Sequence, residues 1–291
     1  MGSIAFAIMA LLAESLREHF SFPWITMIRS GVATILAAAL ALMHGRVLVL
    51  LRPATLWMRS LAGWASMICG FYAMTHYDVS IVLSLTNMFP LWVALLSWPM
   101  LRKAPGVGTW TALLVSTLGT WLVYTSATTP SVTAAYDRYV PEIAIPMALL
   151  AGMFSGVALI GLHQIRDVDE RAIVAHFSGV ATLLSFLTWL VLPIHEETRA
   201  IDAASIWRLV GIGIAATVGQ LFLTRAFTSG SPARVSVVGL SQVIFAVIAK
   251  WAIDGCVPTL QCLAGMALVL CATLSVMLSD ENTDAKTNLE P

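Results

Sequence analysis

The pentapeptide Ser30-Gly31-Val32-Ala33-Thr34 returns unchanged as Ser178-Gly179-Val180-Ala181-Thr182, a shift of 148 residues. Both copies lie inside apolar runs. Further on, Ala73, Val82 and Pro105 align with Ala226, Val235 and Pro258 at a shift of 153, and the five extra residues fall in the polar stretch around His195 to Ala203. Chance identity in a hydrophobic sequence accounts for one pentapeptide, but not for the ordered matches that follow it. A chain written twice folds as two related units. When both units are apolar, the pattern is a building plan of secondary transporters, whose solute site lies between the repeats.

With 58% hydrophobic and 11% charged residues and a mean hydropathy of +0.85, the chain is far from a soluble domain, which carries about 25% charged residues. Its apolar runs approach the ~20 residues that cross a bilayer. Ten segments are expected. In the first half they are Ser3–Leu16, Phe22–Met43, Leu56–Thr75, Val79–Leu101 and Val107–Thr125. In the second they are Ile143–His163, Ile173–Leu192, Ile206–Thr224, Val235–Ile253 and Leu260–Leu278. The expected fold is therefore an all-α membrane protein, ten transmembrane helices in two inverted five-helix repeats. Residues 1–126 form the first repeat, 127–142 an outer connecting loop, 143–279 the second repeat, and 280–291 a polar, disordered cytoplasmic tail. The first segment is short. The alignment sets Met1 opposite Leu149, so about a turn and a half of helix lacks a counterpart. An upstream native start or a half-span are the two expectations.

Orientation follows from Lys and Arg. With the N-terminus in the cytoplasm, the inner side holds Arg46, Arg52, Arg59, Arg102, Lys103, Arg166, Arg171, Arg225, Arg234 and Lys286. The outer side holds Arg17, Arg138, Arg199, Arg208 and Lys250, and Arg29 lies within a span. Both termini are thus expected inside. Five spans per half then turn the second repeat upside down, which lets one structure open to each side in turn. Net charge is zero, so no basic field points to nucleic acid. Cys69, Cys256, Cys262 and Cys271 have no metal-type spacing, although Cys256 and Cys262 flank one short loop where a disulfide is open. No Walker A loop is present, and no cofactor or metal is expected. His195-Glu196-Glu197 lacks a second histidine at helical spacing and reads as a solvated loop.

Polar residues inside apolar segments need partners or a wet cavity, so they are the site candidates. Ser80, Ser84, Asn87 and Leu91 share one helical stripe, with Asn87 near mid-span and Pro90 freeing a carbonyl one turn earlier. This stripe reads equally as a solute-facing surface or as interhelical glue. Gln220 shares a face with Thr217 and Thr224 in the eighth segment, and Gln242 lies in the ninth. Tyr72, Trp92 and Phe245 read as cavity walls or as packing. Arg29 reads as a receptor for a carboxylate or phosphate, as a snorkelling cation, or as one paired with Glu14 on the neighbouring helix. His176 reads as a proton relay or as a satisfied core histidine. Lys250 and Asp254 read as an interfacial ion pair. Gly152 and Gly156, with Gly161 beyond them, permit close helix packing.

Several runs resemble the drug/metabolite transporter superfamily, in the branch with two EamA-type domains. They are Ile28-Arg29-Ser30-Gly31-Val32-Ala33, Phe71-Tyr72-Ala73-Met74 with Leu223-Thr224-Arg225-Ala226-Phe227, and Pro90-Leu91-Trp92-Val93-Ala94-Leu95-Leu96 with Gln242-Val243-Ile244-Phe245-Ala246-Val247. The chain departs from that pattern at Leu101-Arg102 and Asp254-Gly255, where Gly-Glu is frequent, and at Gln242-Val243, where Glu-Pro is frequent. The resemblance implies a secondary carrier, not an enzyme. It would move a small organic solute, an amino acid or related metabolite, outward across the inner or plasma membrane by alternating access. The expected solute contacts are Tyr72, Ser84, Asn87, Trp92, Gln220 and Gln242, with Glu14, Arg29 and His176 as charge or coupling candidates. The expected partners are the lipid bilayer and the solute, in a monomer with homodimerisation open. A membrane-embedded enzyme and a non-transporting interaction protein are the rival classes. No nucleophile-base or metal set shares a face, and the loops are short.

Overall fold

A computed structural model of the chain describes residues 1–16, 20, 22–51, 53–76, 82, 85–102, 105–126, 143–191, 203–254 and 258–287. Ser80, Ser84, the connecting stretch 127–142, the loop around His195 and Cys256 lie outside these residues. So do the side chains of Glu14, Lys250 and Asp254.

The described residues are helical, with no strand among them. The helices are α1 (Gly2–Glu14), α2 (Phe22–Met43), α3 (Ala54–His76), α4 (Phe89–Leu101), α5 (Val107–Ser126), α6 (Ala144–Gln164), α7 (Glu170–Val191), α8 (Ala203–Ser229), α9 (Pro232–Gly239), α10 (Ser241–Asp254) and α11 (Leu260–Thr287). Six described stretches are long and apolar enough to cross a membrane, one of them running through α9 into α10. Gly2–Ala13, Phe89–Leu101 and Leu260–Ser275 are shorter apolar helices. Outward faces are greasy at helical spacing: Leu114, Leu118 and Trp121 on α5, and Leu183, Leu187 and Leu190 on α7. Acyl chains cover such stripes at no cost, whereas water would not.

Local chemistry sets several boundaries. Asp169 precedes α7 and accepts the Arg171 N–H at 2.9 Å, satisfying one of the free donors at that end. Pro232 follows Ser231 at the start of α9, where its missing N–H costs nothing. Arg102 closes α4 in the left-handed conformation, its N–H bonded to the Trp98 carbonyl. The polar residues from Asp280 continue α11 as helix to Thr287, where a disordered tail was expected. Extending a nucleated helix costs far less than starting one.

The repeated pentapeptides meet. α2 and α7 pack together, and a Cβ at Gly31 would lie 3.8 Å from Thr182 Cγ2, while one at Gly179 would lie 3.6 Å from Thr34 Cγ2. Each threonine hydroxyl donates to the serine carbonyl one turn back, Thr34 to Ser30 and Thr182 to Ser178. A contact in which i touches j and j touches i is the signature of a local twofold axis. The other main pairings obey the same exchange: α3 with α6, α1 with α8, and α5 with α11.

The largest buried cluster ties the halves together, with Leu56 of α3 and Val93 of α4 against Leu159, Ile160 and Leu162 of α6, Ile173 of α7 and Phe227 of α8. At the α5–α11 crossing the backbones touch. A Cβ on Gly119 would fall 2.6 Å from the Gly265 carbonyl oxygen, and the reverse holds at Gly265. Gly119→Leu is accordingly expected to cost about 1–3 kcal/mol through overpacking against rigid backbone. A lowered melting temperature of the detergent-purified protein is the readout, and an unchanged one would show that the crossing is looser than described.

Candidate functional site

Two segments expected to be continuous are broken. Before α4, Leu85 and Thr86 are helical and Asn87-Met88 form a turn. Pro90 has no N–H to give the Thr86 carbonyl, so the regular ladder stops there. The turn is held by tighter i to i−3 bonds, Met88 N–H to Leu85 and Leu91 N–H to Met88. The ninth segment tightens to a single turn at Leu240, between α9 and α10, without a proline and with Leu240 still in the right-handed helical region (φ −64°, ψ −16°). Leu240 N–H bonds to Val237 and Val243 N–H to Leu240, the same tightened pattern. Positions 87 and 240 differ by 153, the shift that aligns Ala73 with Ala226.

The breaks face each other through polar side chains. Asn87, only 8% exposed, accepts from the Gln242 amide at 3.3 Å and donates to the Tyr124 hydroxyl of α5 at 3.0 Å. Beside them, the Ser241 hydroxyl donates to Ser3 Oγ on α1 at 3.1 Å. Thus Asn87 and Gln242 of the candidate set are brought together. Tyr124 was missed, since a tyrosine in an apolar segment reads as packing.

The remaining candidates form separate clusters. Gln220 of α8 accepts from Arg59 Nη2 at 3.2 Å. Arg29 points at two thioethers, Met9 Sδ and Met67 Sδ, both within 3.4 Å. Thioether sulfur is a weak acceptor. Trp92 packs on α6: a Cβ at Gly156 would meet its Cβ at 2.9 Å, and Gly152 faces its indole edge. Tyr72 is half-buried on α3, about 20 Å along that helix from Arg59 by helical rise. Phe245 is 37% exposed, on the outer face of α10.

His176 of α7 bridges the halves. Its Nε2 lies 3.2 Å from the Leu50 carbonyl, its Nδ1 lies 2.8 Å from Ser60 Oγ, and Trp57 stands edge-on at 4.8 Å. The carbonyl can only accept, so Nε2 carries a proton, and Nδ1 pairs with the serine hydroxyl. Both ring nitrogens are used, as in a structural histidine.

Arg59 corrects the charge count. Counted among the inner-loop cations, it is 3% exposed on α3. Its guanidinium stacks 4.1 Å from the centre of the Phe177 ring. Its Nε has no partner, and no described carboxylate pairs with it. A cation in a span costs about 2.5–3.5 kcal/mol on insertion scales and is usually paired. Where α2 ends and α7 begins, Arg46 and Arg171 are both bridged by Asp169, at 3.2 and 3.6 Å. At the same end a cleft of about 430 Å³ is lined by Ser97, Thr109, His163, Arg166, Ser231 and Arg234. Among the described residues no group of His, Cys, Asp and Glu is placed to hold a metal.

This architecture is shared with known proteins. A solved chain described only as a crystal structure of a protein superposes with a TM-score of 0.81 at 15% identity, covering 95% of each chain. The pseudopaline exporter CntI of Pseudomonas aeruginosa is 26% identical over 279 residues, 95% of this chain and 93% of that protein. An uncharacterised transporter of Helicobacter pylori is 23% identical over 227 residues, 76% of this chain and 72% of that protein. The uncharacterised membrane protein YMR253C of Saccharomyces cerevisiae is 24% identical over 236 residues, 76% of this chain and 56% of that protein. The EamA-like transporter family matches twice, over residues 1–125 and 142–278. With nearly its whole length matched, the chain belongs to the EamA-like transporter family, within the drug/metabolite transporter superfamily.

Proposed function

We propose that this protein is a secondary transporter that moves a small organic solute, an amino acid or related metabolite, across the inner or plasma membrane by alternating access. The observation that carries the reading is the pair of helix breaks at Asn87-Met88 and Leu240, joined by the Asn87–Gln242 hydrogen bond. Interrupted helices at corresponding places in two halves free backbone groups where a solute can bind. Ten spans as two inverted five-helix halves agree with the exchange of contacts between α2 and α7 and with the paired helix contacts. Asn87, Gln242 and Tyr124 supply the solute's polar contacts. Tyr72, Trp92, Gln220 and Ser84 complete the lining when the halves part. The charge bias favours both termini in the cytoplasm, and removing Arg59 leaves nine inner cations against five outer ones. The outward direction rests on the relatives named as pseudopaline exporters.

The test is a panel of amino acids and related metabolites in proteoliposomes, with and without an imposed proton gradient. Saturable flux of at least one solute, unaffected by the gradient, is the expected result, since both ring nitrogens of His176 are engaged within the protein. Gradient-driven flux would return His176 and Glu14 to the mechanism. Absence of flux across the panel with folded protein would overturn the transport reading.

A further inference from the structure

We propose that Arg59 is an anion receptor, so that the carried solute is a carboxylate. The inference rests on the transport reading and names its substrate class.

The first argument is direction. α3 begins at Ala54, and Arg59 lies about 7.5 Å inward by helical rise. A snorkelling arginine bends back toward the aqueous end, and helical side chains already lean toward the N-terminus. This guanidinium does the opposite. A Cβ at Gly63, one turn deeper, would stand 2.5 Å from its Nη1 and 2.7 Å from the Phe177 ring. The absence of a side chain at Gly63 makes the room the head group occupies.

The second argument is valence. The guanidinium has five N–H donors. The structure gives it one amide oxygen, from Gln220, and the face of Phe177, and leaves buried Nε unpartnered. No described carboxylate neutralises it, since Asp169 is engaged with Arg46 and Arg171. A carboxylate accepts two parallel N–H bonds from this fork and supplies the missing charge.

The third argument is position. Arg59 belongs to the first half, while Gln220 and Phe177 belong to the second. Parting the halves strips both from the guanidinium and bares it to an incoming solute. The Arg59 backbone and Cβ pack on Gly161 of α6. His163, two residues on, lines the basic cleft with Arg166 and Arg234. Arg166 and Arg234 draw anions toward that cleft, with Asp167 beside Arg166 offsetting part of their field.

The test uses the full chain in detergent and in proteoliposomes. The probes are acetate, lactate, succinate and the common amino acids, each beside its carboxamide. At least one carboxylate should raise the melting temperature and its amide should not. Arg59→Gln should weaken that carboxylate by about tenfold or more, the loss expected when a charge-assisted pair is removed, and Arg59→Lys should lose less. Should Arg59→Gln fail to fold, Gln220→Glu carries the test, because it gives Arg59 an internal counter-ion and should abolish the carboxylate response in a folded protein. Acids and amides acting alike, no response across the panel, or an unchanged response in Arg59→Gln or Gln220→Glu would each overturn the inference. Carboxylate binding without flux would sink the transport reading alone. Flux of a neutral solute that persists in Arg59→Gln would sink the anion receptor alone.

Discussion

Asn87→Ala is expected to lower solute flux by about tenfold or more, equivalent to roughly 1.4 kcal/mol or above, in a protein that still folds. Asn87 spans the two breaks, accepting from Gln242 and donating to Tyr124. Truncation takes this partner from the half-buried Tyr124 hydroxyl and the half-buried Gln242 amide, at up to about 1–3 kcal/mol for such a group. Gln242→Ala should have an effect of similar size, because it removes the other end of the same bond. The double variant should fall well short of the product of the two. Groups in one hydrogen-bonded network show coupling of about 0.5–3 kcal/mol. Counterflow in proteoliposomes, with a melting curve for each variant, decides the matter. Multiplicative losses would mean that Asn87 and Gln242 act separately, and wild-type flux in either single variant would remove the breaks from the site.

Ser3→Cys with Ser241→Cys is expected to give a protein that oxidation stops and reductant restarts. The two hydroxyl oxygens lie 3.1 Å apart, one on α1 of the first half and one beside the break in the ninth segment. A disulfide there, in a background with Cys69, Cys256, Cys262 and Cys271 replaced by serine, ties the halves at the point where the mechanism requires them to separate. Flux should drop to the level of empty liposomes on oxidation and recover with a thiol. Full flux through protein shown to be cross-linked would mean that α1 and α10 travel together during transport.

Much of the fold was legible as apolar runs bounded by charge, proline and glycine. The second segment was expected at Phe22–Met43, the bounds of α2. The meaning of the repeated pentapeptide was partly legible. Order and spacing gave the duplication, but only the packed helices bring Gly31 to Thr182 and Gly179 to Thr34. Pro90, read as freeing one carbonyl within a continuous segment, is the signal from which the break at Asn87-Met88 could have been found. The break at Leu240 has no such signal, because Gly239-Leu240-Ser241 carries no residue that forbids helix, and tertiary packing decides there. Asn87 and Gln242 could be found as amides in apolar runs, but their mutual bond joins residues 155 apart in sequence. Arg59 was misplaced for a physical reason. Seven residues from Arg52 and near a span end, it has the sequence surroundings of a snorkelling cation. Only the empty space above Gly63 and the Phe177 ring turn it inward.

The most direct measurement places a single cysteine at Gln242, with the four native cysteines replaced by serine, and asks from which side of a proteoliposome a membrane-impermeant thiol reagent reaches it. Alternating access about the two breaks predicts labelling from either side when applied separately, with solute slowing both rates. Labelling from one side alone, or rates indifferent to every transported solute, would contradict a site that opens in turn to the two faces of the membrane.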